Sequence, residues 1–359
     1  MSKKINIKTK SQNYKIVIGT NILKRLNKLI DLNDNILNII IIDSNVWKFH
    51  KKYINKALNF NKLKIINIKS SENKKSLKSY NELIEKILKL KPTRQTKIII
   101  VGGGVLCDLG GFVASTILRG LSLTLVPTTL LAQADSAIGG KNGINSIYGK
   151  NFVGTFYQPE LVLIDPIFLN SLSKRELKSG YSEIVKHALI RNKVYFYWLK
   201  KNFKKIIKLK RPYISEAIFK SVKIKSNFVI ADEREMLKNS NSRALLNFGH
   251  TVGHALESIN NYNKNLNHGE AISAGMIIES RISAKIGLLS NKNLKDIEDH
   301  FKDAGLKTKF NNLNHNRLMK YIVRDKKNNN NMIKFIALID IGKSKISKNF
   351  TTEDFKNLL

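Results

Sequence analysis

The chain has 359 residues, 42% of them hydrophobic, which is enough for two domains with a sizeable core and is typical of a globular protein. Its net charge of +36 is spread over short basic pairs such as Lys51-Lys52 and accompanies no nucleic-acid motif, so we predict no nucleic-acid partner. A single cysteine, Cys107, excludes an intramolecular disulfide and predicts a reducing, cytoplasmic setting.

The first part of the chain alternates β-rich runs with amphipathic stretches. A polar start without a leader (MSKKINIKTK) runs into an edge strand, and the β-rich runs that follow are YKIVIG, ILNIIIID, LKIINI, KIIIV, LSLTLVP and ELVLID. Helices are expected near residues 21–29, from Val46 and near residues 77–90. Strands that alternate with helices form parallel βαβ units, so we predict an α/β domain with a Rossmann-like doubly wound parallel sheet over residues 1–165.

After Pro166 the pattern changes to long helical periods, which predicts a mostly α-helical second domain over residues 166–359. The exception is a hairpin-like pair of runs, YIVRDKK and MIKFIALID, around the polyasparagine turn Asn328–Asn331. The least polar stretch of the chain, residues 120–138, contains Pro127 and Asp135, so we expect no membrane span and no membrane partner.

A glycine-rich run, VGGGVLCDLGG, follows the strand-like run KIIIV and precedes a helix expected to begin near Asp108. Glycines at the end of a strand let backbone N–H groups approach a phosphate, and a helix N-terminus favours its charge. Cys107 stands where the dinucleotide-binding pattern has its third glycine, so a tight turn without a ligand fits the run equally well.

Two further features add to the phosphate-binding interpretation. In the run PTTLLAQADSAIGGKNGIN, Thr128 and Thr129 precede a helix, and a second glycine turn ends at Lys141. Asp43 ends an early strand, where an acidic side chain can bind ribose hydroxyls; an ordinary helix N-cap is the equally good alternative.

Three of the seven histidines lie within a few helical turns, in NFGHTVGHALE and NHGEAISAG, and the upstream run GYSEIVKH adds Glu183 and His187. Two histidine nitrogens and one carboxylate with an open fourth position are typical of catalytic zinc. His250 and His254 are spaced i, i+4 and share one helix face, so spacing alone favours them as ligands. The pattern leaves open which two of His250, His254 and His268 bind.

Eight runs, in order from Gly102 to Met276, closely resemble the 3-dehydroquinate synthase family. They are GGGVLCDLGGFVAST, RG, VPTTLLAQADSAIGGKNGIN, GKNFVGTFYQP, SGYSEIVKHALI, DERE, RALLNFGHTVGHALE and HGEAISAGM, with weaker echoes on both sides. Members of this family use a divalent metal, usually zinc with cobalt as an alternative, and tightly held NAD. They convert 3-deoxy-D-arabino-heptulosonate 7-phosphate into 3-dehydroquinate and phosphate in the shikimate pathway. The resemblance implies the same activity, an NAD-binding first domain, a metal- and substrate-binding second domain, and a homodimer.

The resemblance also implies roles for individual residues. The metal ligands fall on Glu183, His250 and His268, and His254 faces the substrate as a proton-transfer group. Positions at or beside the substrate match Lys186, Lys225, Arg243, Asn247, Asn151, Asp135, Lys326 (or its neighbour Lys327) and Arg119, which reaches the phosphate of the neighbouring subunit. Positions of the NAD site match Asp43, Asn45, Ser70, Ser71, Glu72, Asn73, Lys74, Lys75, Gly104, Val105, Leu106, Cys107, Asp108, Thr128, Thr129, Lys141, Lys150, Phe168, Leu169, Asn170 and Ser171.

Spacing adds expectations about how these residues are held. Glu183 and Lys186 are spaced i, i+3, so one helix face can offer a ligand and a cation. Arg243 and Asn247 are spaced i, i+4 and are expected on one rigid element that runs into His250. For Asp135, support of the helix before Gly139 is as good an interpretation as a role at the reacting centre.

The chain departs from the family pattern at four places. Cys107 replaces a glycine, and Ser70-Ser71 replaces an acidic–glycine pair. Residues Leu237–Ser242 lengthen the link between DERE and RALLNFGH, and one extra residue lies between His254 and His268. The family motifs themselves remain. Our hypothesis is therefore that these departures are sequence changes in loops and that the activity is retained. The alternatives are a related sugar-phosphate cyclase and a metal-dependent alcohol or glycerol dehydrogenase.

Overall fold

The structure, a computed structural model, describes residues 2–30, 32, 35–58, 62–260, 265–308, 315–325 and 332–359. The chain divides into two compact units, Met1–Glu176 and Leu177–Leu359. The first unit continues past the predicted boundary at Asp165 because the 3-10 helix Pro166–Ser171 packs Phe168 into the core of the first unit. Asp165 itself accepts hydrogen bonds from the backbone N–H of Ile22 and the hydroxyl of Tyr53, at 2.8 and 2.6 Å.

A seven-stranded sheet forms the centre of the first unit. The strands of this unit are β1 (Lys3–Lys8), β2 (Asn13–Ile18), β3 (Asn38–Asp43), β4 (Leu63–Ile68), β5 (Lys97–Gly102), β6 (Ser122–Pro127), β7 (Lys141–Ser146), β8 (Gly149–Phe156) and β9 (Leu161–Ile164). The large sheet has the order β1-β2-β9-β6-β5-β3-β4, and its neighbours are parallel except for β1 with β2. The predicted parallel sheet with an N-terminal edge strand is confirmed.

Helices cover both faces of this sheet. They are α1 (Leu26–Ile30), α2 (Ser44–Ala57), α3 (Leu77–Leu88) and α4 (Gly104–Thr116). On one face Ile40 and Ile42 pack with residues of α1 and α2. On the other face Ile100 contacts α4 at Gly110, where a Cβ atom would lie 2.5 Å from the Ile100 side chain. The isoleucine runs are therefore buried on both sides, as expected for central parallel strands.

One local prediction for the first unit needs correction, and one local element was not predicted. Helix α4 begins at Gly104, earlier than the predicted start near Asp108, because Gly103 alone makes the turn and adopts an extended N-cap conformation. In addition, β7 and β8 form a separate antiparallel pair that the sequence analysis did not predict. Their sequences, KNGINS and GKNFVGTF, contain glycine and asparagine, which are depleted in strands and hide the period of two.

The second unit is mostly helical, as predicted. From the end of the first unit onward the elements are α5 (Lys174–Arg191), α6 (Lys193–Ile207), α7 (Tyr213–Ala231), α8 (His250–Ile259), α9 (His268–Lys285), α10 (Asn291–Asp303), α11 (His315–Asp325), β10 (Ile336–Asp340), β11 (Lys343–Ile346) and α12 (Thr352–Leu358). Among the described residues, no helix is both long enough and apolar enough to cross a bilayer.

The predicted hairpin around the polyasparagine turn is wrong. The run YIVRD lies in α11, whose buried residues Leu318, Met319 and Ile322 recur at helical spacing. The run FIALID supplies β10, but β10 pairs with β11, which follows it in the chain. Asn328–Asn331 lie outside the described residues.

Helices α8 and α9 cross in close contact at two glycines. A Cβ atom on Gly275 would lie 2.0 Å from the carbonyl oxygen of Gly249, which no side chain can tolerate. The start of α8 is therefore held directly against the middle of α9.

Candidate functional site

Three side chains of the second unit converge on a candidate metal centre. Glu183 lies within α5, His250 is the first residue of α8, and His268 is the first residue of α9. Their ligand atoms all lie within 4.8 Å of one another, and the Nε2 atoms of His250 and His268 are 3.9 and 3.5 Å from Oε1 of Glu183. One carboxylate and two imidazoles form a donor set that suits zinc or another borderline divalent metal.

The two imidazoles are held so that Nε2 faces the carboxylate. Nδ1 of His250 lies 3.1 Å from the carbonyl oxygen of Phe248, and Nδ1 of His268 lies 3.4 Å from a carboxylate oxygen of Glu257. Both partners can only accept, so each Nδ1 carries the proton and donates it. This arrangement leaves Nε2 as the metal-binding atom in the neutral ring, which is the usual state of a histidine ligand.

Local capping fixes where the two histidines begin their helices. Asn267 and Glu270 form a capping box at the start of α9, with reciprocal hydrogen bonds of 2.9 and 3.0 Å. The N-cap of α8 is Gly249, which has no side chain, and the fully buried carboxylate of Glu279 on α9 replaces it. Glu279 accepts hydrogen bonds from the backbone N–H groups of Gly249 and Val252, at 2.8 and 3.3 Å.

The charged groups around the candidate centre shift the pKa values of His250 and His268 in opposite directions. Lys186 and Glu183 form an ion pair on α5, and both are buried. Burial and the Lys186 ammonium group lower the pKa of His250 well below its usual range. Partial burial disfavours charge on His268 as well, but the carboxylates of Glu257 and Glu183 outweigh it and raise the pKa of His268 to about 10. A metal at this centre would therefore exchange with a proton at His268.

The other two histidines of these motifs occupy different places. The His254 ring centroid lies 5.1 Å from that of His250 and 6.5 Å from that of His268, so His254 lies beside the three converging side chains. His187 is fully buried, and its Nδ1 lies 2.6 Å from the hydroxyl of Ser221 on α7. The helical spacing that favoured His250 with His254 as a ligand pair is thus less informative than the position of His268 on the next helix.

Three cations that were predicted to contact the substrate are buried in the second unit. Lys186, Lys225 and Arg243 are 1%, 6% and 3% exposed. The Arg243 backbone N–H donates to a carboxylate oxygen of Asp232 at 2.9 Å, and its guanidinium donates to the carbonyl oxygen of Glu233 at 2.7 Å. Fixed cations of this kind suit an anionic substrate.

Arg243 and Asn247 do not lie on one helix with His250. They belong to a 3-10 helix, Arg243–Asn247, which ends before Gly249 adopts a left-handed conformation and α8 begins. The exposed Asn247 donates from its side-chain amide to Glu235 at 2.9 Å. Lys326 and Lys327 lie outside the described residues.

In the first unit, the glycine turn after β5 leads into α4. A Cβ atom on Gly104 would lie 2.7 Å from the Ser136 hydroxyl, and the backbone N–H of Thr128 donates to the carbonyl of Gly102 at 2.9 Å. Cys107 is buried, its thiol faces the Gly102 carbonyl at 3.6 Å, and burial raises its pKa far above the usual range. Cys107 is therefore an inert side chain that closes the turn and not a nucleophile.

Asp43 takes the N-cap role, one of the two roles that the sequence left open. Its carboxylate caps α2 by accepting from the backbone N–H groups of Asn45 and Val46, at 2.7 and 3.3 Å. It also accepts hydrogen bonds from the backbone N–H and the hydroxyl of Ser70. Asp43 therefore joins two of the segments predicted to bind NAD.

The remaining candidates of the first unit fall into three groups. Lys75 contacts both Asp108 and Asn151, and Lys150 lies 3.7 Å from Glu72. Phe168 and Leu169 are buried core residues, so only their backbone is available to a ligand. The others are placed as follows: Ser71 and the 3-10 turn Glu72–Lys74 (which contains Asn73) after β4, Val105 and Leu106 in the first turn of α4, Thr129 after β6, Asp135 in a π-helical turn, Lys141 at the start of β7, and Asn170 with Ser171 in the 3-10 helix after β9.

Arg119 lies at the end of the 3-10 turn Ile117–Arg119 and is exposed. Its φ of 66° is unusual for a residue other than glycine. Two residues that support the candidate metal centre, Glu257 and Glu279, were not predicted. Glu257 lies seven residues after His250, two helical turns on and on the same face, which is a usable signal. For Glu279 we find no local signal, because its partners lie 27 and 30 residues away.

Comparison with known proteins covers most of the chain. The family model for the 3-dehydroquinate synthase N-terminal part matches residues 65–179, and the one for the C-terminal part matches residues 180–328. A 3-dehydroquinate synthase from Pelagibacter ubique is 44% identical over 345 residues, which is 94% of this chain and 93% of that protein.

Two solved cyclases share the fold. The 2-epi-5-epi-valiolone synthase of Streptomyces hygroscopicus, with NAD+ and Zn2+ bound, superposes with a TM-score of 0.86 at 23% identity, over 98% of this chain and 97% of that one. A 2-deoxy-scyllo-inosose synthase complexed with carbaglucose-6-phosphate, NAD+ and Co2+ superposes with a TM-score of 0.84 at 23% identity, over 99% of each chain.

Proposed function

The chain belongs to the 3-dehydroquinate synthase family, and from this premise we propose that it converts 3-deoxy-D-arabino-heptulosonate 7-phosphate into 3-dehydroquinate and phosphate, as a phosphorus–oxygen lyase of the shikimate pathway. The observation that carries the proposal is the convergence of Glu183, His250 and His268 in a chain that matches the family over most of its length. Glu183, His250 and His268 would hold a divalent metal, which would supply Lewis-acid chemistry to substrate oxygens, and NAD would supply reversible hydride transfer.

The ligands of the proposed metal are Glu183, His250 and His268. Support comes from the buried carboxylate, the two Nε2 atoms directed toward it, and the partners that hold each Nδ1. Zinc is the first choice for this donor set, and cobalt is the alternative, since the two related cyclases hold one or the other.

His254 is proposed to move a proton at the substrate. Its ring lies beside His250 and His268 but outside the converging group, and it lies on the same face of α8 as His250. An imidazole ring has one nitrogen that can accept a proton and one that can donate a proton, which suits this role.

The anionic groups of the substrate are proposed to meet the cations Lys186, Lys225 and Arg243. The guanidinium of Arg243 can bond both oxygens of a carboxylate, and the Asp232 and Glu233 contacts hold its backbone and side chain in place. Asn247, Asn151, Asp135, Arg119 and Lys326 are the further substrate-side residues of this proposal.

The first unit is proposed to bind NAD. The glycine turn before α4, the Asp43 carboxylate at the end of β3 and the cations Lys75 and Lys150 support this role, because they offer phosphate and ribose partners at strand ends. The remaining residues that match the family's NAD site belong to the same proposal.

We also propose a cytoplasmic homodimer. Arg119 is exposed, as a residue that reaches a neighbouring subunit must be. The β7–β8 hairpin exposes Ile147, Tyr148 and Phe152 by 91%, 77% and 70%, which is typical of a surface that another chain covers.

The test is a coupled assay of phosphate and NADH with the heptulosonate phosphate, NAD and Zn2+. Phosphate release without net NADH supports the synthase. Net NADH accumulation would favour an alcohol or glycerol dehydrogenase. Faster turnover of sedoheptulose 7-phosphate, which has no carboxylate, would favour another cyclase and contradict the role given to Arg243.

A further inference from the structure

One side chain of the first unit that carries no assigned role joins two segments proposed to bind NAD and substrate. Asn145, on β7, donates from its side-chain amide to Oε1 of Glu72 at 2.8 Å. Its side-chain oxygen accepts the backbone N–H of Asn151 at 3.1 Å. Its own backbone N–H donates to the carbonyl oxygen of Lys75 at 2.8 Å. Three hydrogen bonds of one residue thus connect Glu72 and Lys75 with Asn151.

The groups held in this way contact one another. Lys75 is 4% exposed, and its ammonium group contacts both the Asn151 side-chain oxygen and the Asp108 carboxylate. Lys150 lies 3.7 Å from the same Glu72 oxygen that accepts from Asn145. The contacts form a closed ring in which the Asn145 side chain is the link between the Glu72 carboxylate and the Asn151 backbone.

The Asn151 backbone needs such support. Its φ is 57°, in the left-handed region that residues other than glycine rarely adopt. The conformation costs about 1–2 kcal/mol unless local hydrogen bonds compensate. The acceptor supplied by Asn145 and the contact of the Asn151 side chain with Lys75 are local bonds of this kind.

The amide side chain of Asn145 meets both hydrogen-bonding requirements of this position. Glu72 can only accept and the Asn151 N–H can only donate, so the group between them must present one donor and one acceptor. This also assigns the orientation of the Asn145 amide, since the flipped amide would place oxygen against carboxylate and NH2 against N–H. An aspartate would lose the donor and set a second negative charge beside Glu72.

We propose that Asn145 is a positioning residue that holds Glu72, Lys75, Lys150 and Asn151 in one arrangement for NAD and substrate. This role rests on the proposed function, because it takes Glu72, Lys75 and Lys150 as NAD-binding residues. Asn145 acts through these residues and does not itself take part in the chemistry.

The experiment is a double-mutant cycle in NAD affinity, measured by calorimetry on NAD-stripped full-length protein. Asn145→Asp should weaken NAD binding roughly 10- to 100-fold, since one hydrogen bond is lost and a like-charge contact appears. Zinc content should stay at the wild-type level. Glu72→Gln restores a donor opposite the aspartate, so in that background Asn145→Asp should cost less than about 3-fold. The control is Ser146→Ala, whose hydroxyl contacts Tyr148 and Gly149 in the hairpin turn; this variant should bind NAD like the wild type.

An equal loss of affinity from Asn145→Asp in both backgrounds would overturn the positioning role, and so would no loss in either. If Asn145→Asp alone does not fold, recovery of a folded, NAD-binding protein by Glu72→Gln supports the role, and failure to recover contradicts it. A wild-type chain that binds no NAD would contradict the proposed function itself. If instead the wild type and Asn145→Asp bind NAD with equal affinity, the positioning role is contradicted and the proposed function is not.

Discussion

The carboxylate of Glu279 is predicted to decide whether α8 starts at His250. Glu279→Ala removes the acceptor for two buried N–H groups, those of Gly249 and Val252. A lost helix cap costs about 0.5–2 kcal/mol, and a hydrogen bond to a charged group is worth about 1.5–3 kcal/mol. The substitution also removes the desolvation penalty of a buried carboxylate, which offsets part of this loss. We therefore expect the free energy of unfolding to fall by about 3 kcal/mol.

The assay is thermal and urea unfolding of the purified protein, with zinc affinity measured by competition with a chelator. About 3 kcal/mol corresponds to a fall in Tm of roughly 6–12 °C for a unit of this size. Zinc affinity should also fall, because His250 is the first residue of the helix. Glu279→Gln keeps one acceptor and should lose about half as much stability. The matched control is Glu298→Ala, which breaks an exposed ion pair with Arg281 at 2.7 Å and should cost less than about 1 kcal/mol. A Glu279→Ala protein no less stable than the Glu298→Ala protein would refute the capping argument.

Three further predictions concern histidines and an arginine. His254→Ala should retain zinc, by elemental analysis, and lose phosphate release, whereas His250→Ala should lose both; loss of zinc in His254→Ala would contradict the division of roles. Burial, together with the nearby Lys200 charge, lowers the pKa of His300 to about 4. Between pH 6.5 and 4 the unfolded chain therefore binds a proton at His300 that the folded chain does not bind. As the pH falls through this window, the free energy of unfolding should fall by about 3 kcal/mol. In His300→Phe this part of the acid sensitivity should disappear, and an unchanged pH profile would refute it. Arg243→Lys keeps the charge but loses the planar fork, so kcat/KM should fall roughly 10- to 100-fold with zinc retained; wild-type kinetics would refute the carboxylate contact.

Much of the fold could be predicted because its signals are local. The isoleucine-rich runs that became β3 and β5 are continuous, apolar and flanked by helical periods, which is the pattern of buried parallel strands. The β7–β8 hairpin gave no such signal, since glycine and asparagine interrupt its alternation. The run YIVRD resembles a strand although it lies in α11, because a short apolar run is too short for its periodicity to distinguish a helix from a strand.

The residues of the candidate metal centre could not be identified from spacing within a single helix. Helical spacing favoured His250 and His254 as a ligand pair. The three side chains that converge come from three different helices, and only the family resemblance predicted this group. Glu279 and Asn145 act on partners that are distant in sequence, so their roles depend on how the chain folds. No spacing rule for a single element can report such contacts.

The central claim is that Glu183, His250 and His268 hold the metal. Anomalous diffraction at the zinc absorption edge, from crystals of the zinc-loaded protein, tests it most directly. We predict one peak at roughly 2.0–2.2 Å from a Glu183 carboxylate oxygen and from Nε2 of His250 and of His268. A peak bonded to His254 in place of His268, or no peak at these three residues, would contradict the account.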